Sequence, residues 1–181
     1  MRLVILDRDG VVNEDSDAYV KSAGEWRPIA GSLEAIARLN HAGYRVVIAT
    51  NQSGIARGLF GMEELNAIHQ RLHGELARLG GQLDGIYFCP HGPEDGCACR
   101  KPLPGLLHEI GARHSTDLAA VPTVGDSLRD IEAARAVGAR PILVRTGKGR
   151  ATEARIPKGW GISCFDDLAA AVESLVTGDP R

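Results

Sequence analysis

Short, wholly apolar runs alternate along this chain with stretches whose apolar residues recur at helical spacing. Leu3-Val4-Ile5-Leu6, Val46-Val47-Ile48-Ala49, Ile86-Tyr87-Phe88, Pro122-Thr123-Val124, Ile142-Leu143-Val144 and Ile162-Ser163-Cys164 read as strands. Apolar runs of this kind, without alternation, suit strands buried on both faces. Between them, Leu33, Ile36, Ala37 and Leu39 mark one face of a helix that Ser32 can cap. Met62 to Leu79 carries the stripe Leu65, Ile68, Leu72, Leu76 and Leu79, and shorter helices fit Pro104 to His114, Leu128 to Val137 and Asp167 to Val176. Thr177 to Arg181 read as a frayed end. Continuous strand-helix-strand order predicts an α/β fold, a Rossmann-like parallel sheet with helices on both faces. With no internal repeat or low-complexity tract, residues 1–181 are expected to form a single domain.

Ligands of such sheets sit at the carboxyl ends of the strands, so the residues that follow each strand matter most. The first strand delivers Asp7-Arg8-Asp9-Gly10, with the two carboxylates at the spacing that puts extended residues on one side. A solvated acidic turn has the same composition. The second strand delivers Thr50-Asn51-Gln52-Ser53-Gly54, whose hydroxyls, amides and backbone N–H groups suit an anionic oxygen, although a plain polar loop also fits. Arg100-Lys101 stands before a helix start, where cations oppose the helix dipole. The pair is therefore either a surface feature or a binder of an anion outside the helix. After the fourth strand, Gly125-Asp126-Ser127 can cap a helix or bind metal. Taken jointly, three carboxylates with oxygen ligands suit Mg2+, and a cation with a hydroxyl suits a phosphoryl group.

Composition narrows the possibilities. The net charge of −2, from 21 Lys+Arg and 23 Asp+Glu, supplies no field for a polyanion, and 4% aromatic residues leave few rings for bases to stack on, which argues against nucleic acid as a partner. No apolar run approaches the roughly 20 residues of a membrane span, so a cytoplasmic protein without membrane partners is expected. Of four cysteines, Cys89, Cys97 and Cys99 cluster with His91, whereas Cys164 stands apart and reads as a core residue. Three thiolates and one imidazole are the ligand set of a closed, structural Zn2+ site, against the alternative of buried thiols. Anchoring Cys99 would fix where the adjacent Arg100 and Lys101 point. His41, His69, His73, His108 and His114 lie on predicted helices with no supporting motif. No heptad or interface stripe is present, and a monomer is expected.

The motif series D-x-D-G-V at Asp7 to Val11, Thr50, Lys101 and G-D-x-x-x-D at Gly125 to Asp130 resembles the haloacid dehalogenase superfamily of phosphatases. Thr50 to Gly58, Cys99 to Gly105 and the Cys/His loop 89–99 are similar to its heptose-bisphosphate and histidinol-phosphate phosphatases. The resemblance implies a phosphatase without a large cap domain. Its reaction would be removal of the C7 phosphate of D-glycero-D-manno-heptose 1,7-bisphosphate, in making precursors of lipopolysaccharide or glycans. Histidinol phosphate is the rival substrate; a DNA 3′-phosphatase and a non-catalytic phosphate sensor are more distant rivals. It further implies Asp7 as nucleophile, Asp9 as general acid and base, and Thr50 and Lys101 as phosphoryl stabilisers. Mg2+ would be held by Asp7, the Asp9 carbonyl and Asp126. Substrate contacts would come from Asp15, Tyr19, Thr50, Asn51, Gln52, Ser53, Arg100, Lys101 and Ser127.

Overall fold

The computed structural model describes residues 2–178. Six parallel strands, β1 (Arg2–Leu6), β2 (Tyr44–Asn51), β3 (Gly85–Cys89), β4 (Pro122–Gly125), β5 (Arg140–Val144) and β6 (Ser163–Phe165), form one sheet in the order β3-β2-β1-β4-β5-β6. Six helices connect or follow them: α1 (Ser32–His41), α2 (Met62–Arg78), α3 (Gly105–Arg113), α4 (Leu128–Ala136), α5 (Gly149–Glu153) and α6 (Leu168–Thr177).

The unbroken apolar character of β1 has a direct cause in this layering. Val4 and Leu6 enter one core with Ile36, Leu39, Ile68 and Leu72, and with Leu168, Ala171 and Val172 of α6. Leu3 and Ile5 enter a second core with Leu106, Leu107, Ile110 and Ala133. Helices α1, α2 and α6 thus cover one face, and α3 and α4 the other. Leu3 to Leu6 are each withdrawn from water whichever way they point, at about 25 cal/mol per Å2 of apolar surface.

The long segment 7–31 between β1 and α1 is strapped to the first core by Val11, Val12, Val20 and the fully buried Trp26. No second sheet occurs among the described residues, and the other long segment ahead of a helix, 90–104, is the Cys/His loop.

Several local expectations are corrected. Gly31, at φ 83°, occupies the cap position of α1, and Ser32 is instead buried with its hydroxyl donating to the Val11 carbonyl at 2.9 Å. Leu79 follows α2 as an exposed residue outside the buried stripe. Strand β6 is shifted one residue to Ser163–Phe165, and Cys164 is half-buried there on an edge strand rather than in the core. Thr177 closes α6, and residues 179–181 lie outside the described residues. Helix α5, Gly-Arg-Ala-Thr-Glu, has no apolar periodicity to announce it.

Candidate active site

The central strands β2, β1 and β4 end side by side at the point where the chain order reverses across the sheet. Their ends bring Thr50, Asp7 and Asp126 to one place, and the loop after β3 adds Lys101. The resulting cleft, about 330 Å3, is also lined by Asp9, Asp15, Tyr19, Asn51, Gln52, Ser53, Arg100 and Ser127, so every substrate and Mg2+ residue expected from the sequence borders it.

Lys101 is the centre of the charge arrangement. Its buried ammonium donates to Asp7 Oδ1 at 3.0 Å and the Ala49 carbonyl at 2.7 Å, and pairs with Asp130 Oδ1 at 2.6 Å. Burial alone would lower its pKa, but the charges of Asp130 and Asp7 outweigh that and raise it. Asp130 closes the G-D-x-x-x-D motif, which by itself gives the residue no role. Its second oxygen accepts from the Ser127 N–H at 3.0 Å and hydroxyl at 2.6 Å, so it braces both Lys101 and the start of α4. The S-x-x-D spacing of a capping box was the available signal. Ser127 consequently turns its hydroxyl hydrogen toward Asp130.

Asn51 likewise faces inward. Its amide donates to the Lys101 carbonyl at 3.0 Å and accepts from the Lys101 N–H at 3.0 Å, clamping that peptide. Thr50 accepts from Gln52 Nε2 at 2.9 Å, which leaves its own hydroxyl hydrogen to donate. Asp15 pairs with Lys148 at 3.1 Å, and Tyr19, at φ 65°, closes a turn through its N–H to the Ser16 carbonyl.

Asp9 is held from three sides, by Arg8 at 2.9 and 3.1 Å, Asn13 Nδ2 at 2.9 Å and Gln52 Nε2 at 2.8 Å. Burial pushes its carboxyl upward, but the Arg8 charge and these donors hold it below its ordinary value. Sequence reasoning missed Arg8 because alternation along an extended segment turns it away from the cleft, where it is completely buried.

The acidic cluster fits a hard cation. Ligand oxygens of Asp7, Asp126 and Asp130 lie within 4.8 Å of one another. Burial, then the charge of Asp130, pushes Asp126 up to about 7, and the same two causes raise Asp7 well above its ordinary value. Lys101 offsets only part of this negative charge, since Asp7 and Asp126 stay raised against it, and Mg2+ takes carboxylate oxygens. Gly10 and Gly147, both at positive φ, enclose Asp126 so closely that a Cβ on either would overlap its Oδ2. The Lys148 N–H donates to that same oxygen at 2.7 Å.

The Cys/His loop fits Zn2+. Cys89 Sγ lies 3.7 Å from Cys97 Sγ, 3.2 Å from Cys99 Sγ and 3.5 Å from His91 Nδ1, and His91 Nδ1 lies 3.3 Å from Cys99 Sγ. These are close to the roughly 3.5–3.8 Å edges of a tetrahedral Zn2+ site. Burial pushes the Cys89 thiol up to about 12. At Cys97 the Arg100 N–H and neighbouring thiols overcome burial and bring it down to about 7. Cys99→Ser is expected to abolish stoichiometric zinc and lower the melting temperature, whereas Cys164→Ser leaves zinc content unchanged; metal analysis and thermal melts on both variants check this.

Comparison with known proteins places this arrangement. The HAD-hydrolase-like family model matches residues 98–171. The D-glycero-beta-D-manno-heptose-1,7-bisphosphate 7-phosphatase of Bordetella bronchiseptica is 58% identical over 176 residues, covering 97% of this chain and 98% of its own. The enzyme of the same name from Pseudomonas aeruginosa is 54% identical, with 96% and 97% covered. The crystal structure of the B. bronchiseptica D,D-heptose 1,7-bisphosphate phosphatase, complexed with magnesium and phosphate, superposes with a TM-score of 0.96 over 98% of this chain and 99% of that one. At that identity and coverage, the chain belongs to the D-glycero-beta-D-manno-heptose-1,7-bisphosphate 7-phosphatase family.

Proposed function

We propose that this protein hydrolyses the C7 phosphate ester of D-glycero-beta-D-manno-heptose 1,7-bisphosphate, leaving the C1 phosphate in place. The reaction class is carried by one observation, the buried Lys101 bound at once to Asp7 and Asp130 at the mouth of β1. The substrate rests on the names of relatives that match nearly end to end.

Asp7 attacks phosphorus through its free carboxylate oxygen while Lys101 holds the other, and the ester oxygen departs from the opposite side. The aspartyl-phosphate then gives way to water, so one difficult displacement becomes two. Asp9 protonates the departing sugar oxygen and afterwards takes a proton from the attacking water. A phosphoryl dianion arriving beside Asp9 raises its carboxyl, which favours proton uptake as the substrate binds. Thr50 donates to the phosphoryl oxygens as charge builds there, and the Lys101 ammonium beside them supplies positive charge. Asp7, Asp126 and the Asp9 carbonyl would hold Mg2+, which supplies the positive charge that lets an anionic nucleophile approach an anionic ester. Asn51 and Asp130 keep Lys101 in place, and Asp15, Tyr19, Gln52, Ser53, Arg100 and Ser127 frame the sugar.

Arg57, within Thr50 to Gly58, and Arg129, within Gly125 to Asp130, add cations to which the motifs alone assign no role. Both line the cleft, are exposed, and form no ion pair among the described residues. They suit the retained phosphate. Arg129→Ala is expected to raise KM about tenfold for the bisphosphate, about 1.4 kcal/mol of binding, and to change that for a heptose 7-monophosphate little. Equal effects on both substrates would remove Arg129 from that role.

Metal binding has its own pH signature. Asp126 has a folded pKa of about 7, above its ordinary 3.8. Its protonated form therefore favours the metal-free fold fully below about pH 4, and that contribution is lost as pH rises through about 7. Mg2+ is expected to raise the melting temperature by several degrees at pH 8 and negligibly at pH 4.5, at roughly 2–4 °C per kcal/mol for a chain of this size. Thermal melts with and without Mg2+ at both pH values decide it.

The test of function is a side-by-side assay of heptose bisphosphate and histidinol phosphate. The expected kcat/KM favours the heptose by at least a hundredfold. Efficient hydrolysis of histidinol phosphate with little on the heptose would overturn the reading.

A further inference from the structure

Behind the wall of the cleft, the buried Arg8 and the half-buried His69 have no part in the steps above. The Arg8 guanidinium is fully buried; Nη2 reaches both oxygens of Asp9, and Nη1 lies 3.3 Å from Nε2 of His69 on α2. Neither Arg8 nor His69 lines the cleft. A guanidinium has only donors, so Nε2 of His69 accepts and the imidazole proton sits on Nδ1. Phe88 packs near the imidazole, with ring centroids 6.3 Å apart. Burial, then the charges of Arg8 and His73, push the imidazole down to about 4, so it is a neutral acceptor across the working range.

We propose that His69 is a positioning residue for the proton transfer: by anchoring the far side of the Arg8 guanidinium, it fixes the near side that aims the Asp9 carboxyl at the leaving oxygen. The proposal rests on the reading of Asp9 as general acid and base. Asn13 and Gln52 each give Asp9 one hydrogen bond, whereas Arg8 contacts both of its oxygens and so sets the plane of the carboxyl. Without His69, a buried N–H loses its acceptor, and a guanidinium that turns to find another carries Asp9 with it.

A leaving group that departs unassisted separates this role from a general structural one. An alkoxide needs a proton from Asp9, whereas p-nitrophenolate does not. In single turnover, which reads ester cleavage before Asp9 acts on the attacking water, His69→Leu is expected to slow cleavage of the heptose bisphosphate about tenfold, with KM and the single-turnover release of p-nitrophenolate from p-nitrophenyl phosphate within about twofold of the parent. His69→Gln, whose amide oxygen can accept from Nη1, is expected to restore most of the loss. If His69→Leu fails to fold, His69→Asn, polar but too short to reach Arg8, carries the same expectation. Equal losses on both substrates, no loss on either, or no rescue by glutamine would each overturn the proposal. Asp9→Asn, read in the same single-turnover assay, distinguishes the layers: a loss of ester cleavage confined to the sugar ester keeps the reading of Asp9 even if His69 fails, whereas equal losses on both esters overturn that reading and the proposal with it.

Discussion

Asp7→Asn is expected to lower turnover of the sugar phosphate by more than about 10^4-fold while leaving the protein folded and, without metal, more stable at pH 8. The loss follows because a neutral amide does not form the acyl-phosphate bond, and no neighbouring carboxylate can replace it: Asp130 is bound to Lys101 and Ser127, and Asp9 to Arg8, Asn13 and Gln52. The gain in stability follows from the direction of the Asp7 shift. Burial and the charge of Asp130 raise its folded pKa above the ordinary 3.8, so ionising it costs the fold more as pH rises through the folded value. Asparagine removes that cost, and the gain disappears below about pH 4, where the native aspartate becomes protonated in both states. Steady-state assays and metal-free melts at pH 4 and pH 8 measure the two effects. A variant within about a hundredfold of the parent would exclude Asp7 as nucleophile, and one less stable at pH 8 would contradict the charge balance of the site.

The sequence exposed those features that one strand and the residue after it determine. Four successive apolar residues in β1 need cover on both faces, and Asp7, Thr50 and Asp126 stand where β1, β2 and β4 end side by side. Features that depend on a distant partner were hidden. Asn51 reads as a polar loop residue until the Lys101 peptide lies against it, and Asp130 reads as an early helix residue until the lysine reaches it. Ser32 has the composition of a helix cap, but Gly31 takes that position because Val11, brought in by the long segment after β1, accepts the serine hydroxyl. Arg8 was hidden for the same reason: its burial is tolerable only because Asp9 and His69 meet it from opposite sides.

Lys101→Met tests that dependence on distant partners at its most concentrated point. All three N–H groups of the ammonium are used, by Asp7, Asp130 and the Ala49 carbonyl, while methionine fills nearly the same space without charge. Two buried carboxylates then face each other unpaired, and breaking a buried pair in this way costs about 3–5 kcal/mol. The charge that meets the phosphoryl oxygens disappears as well, and kcat is expected to fall by at least about 10^3-fold. Lys101→Arg is expected to recover little, because a planar fork cannot point three donors along the directions of a tetrahedral ammonium. The pH response gives an independent readout. Asp130 owes its lowered pKa chiefly to Lys101 acting against burial, and Lys101 also restrains Asp7. In Lys101→Met both carboxyls rise, so the deficit in melting temperature is largest at pH 8 and shrinks as pH falls toward 4 and the acids are protonated. A deficit independent of pH would mean that lost packing, rather than lost charge, destabilises the variant.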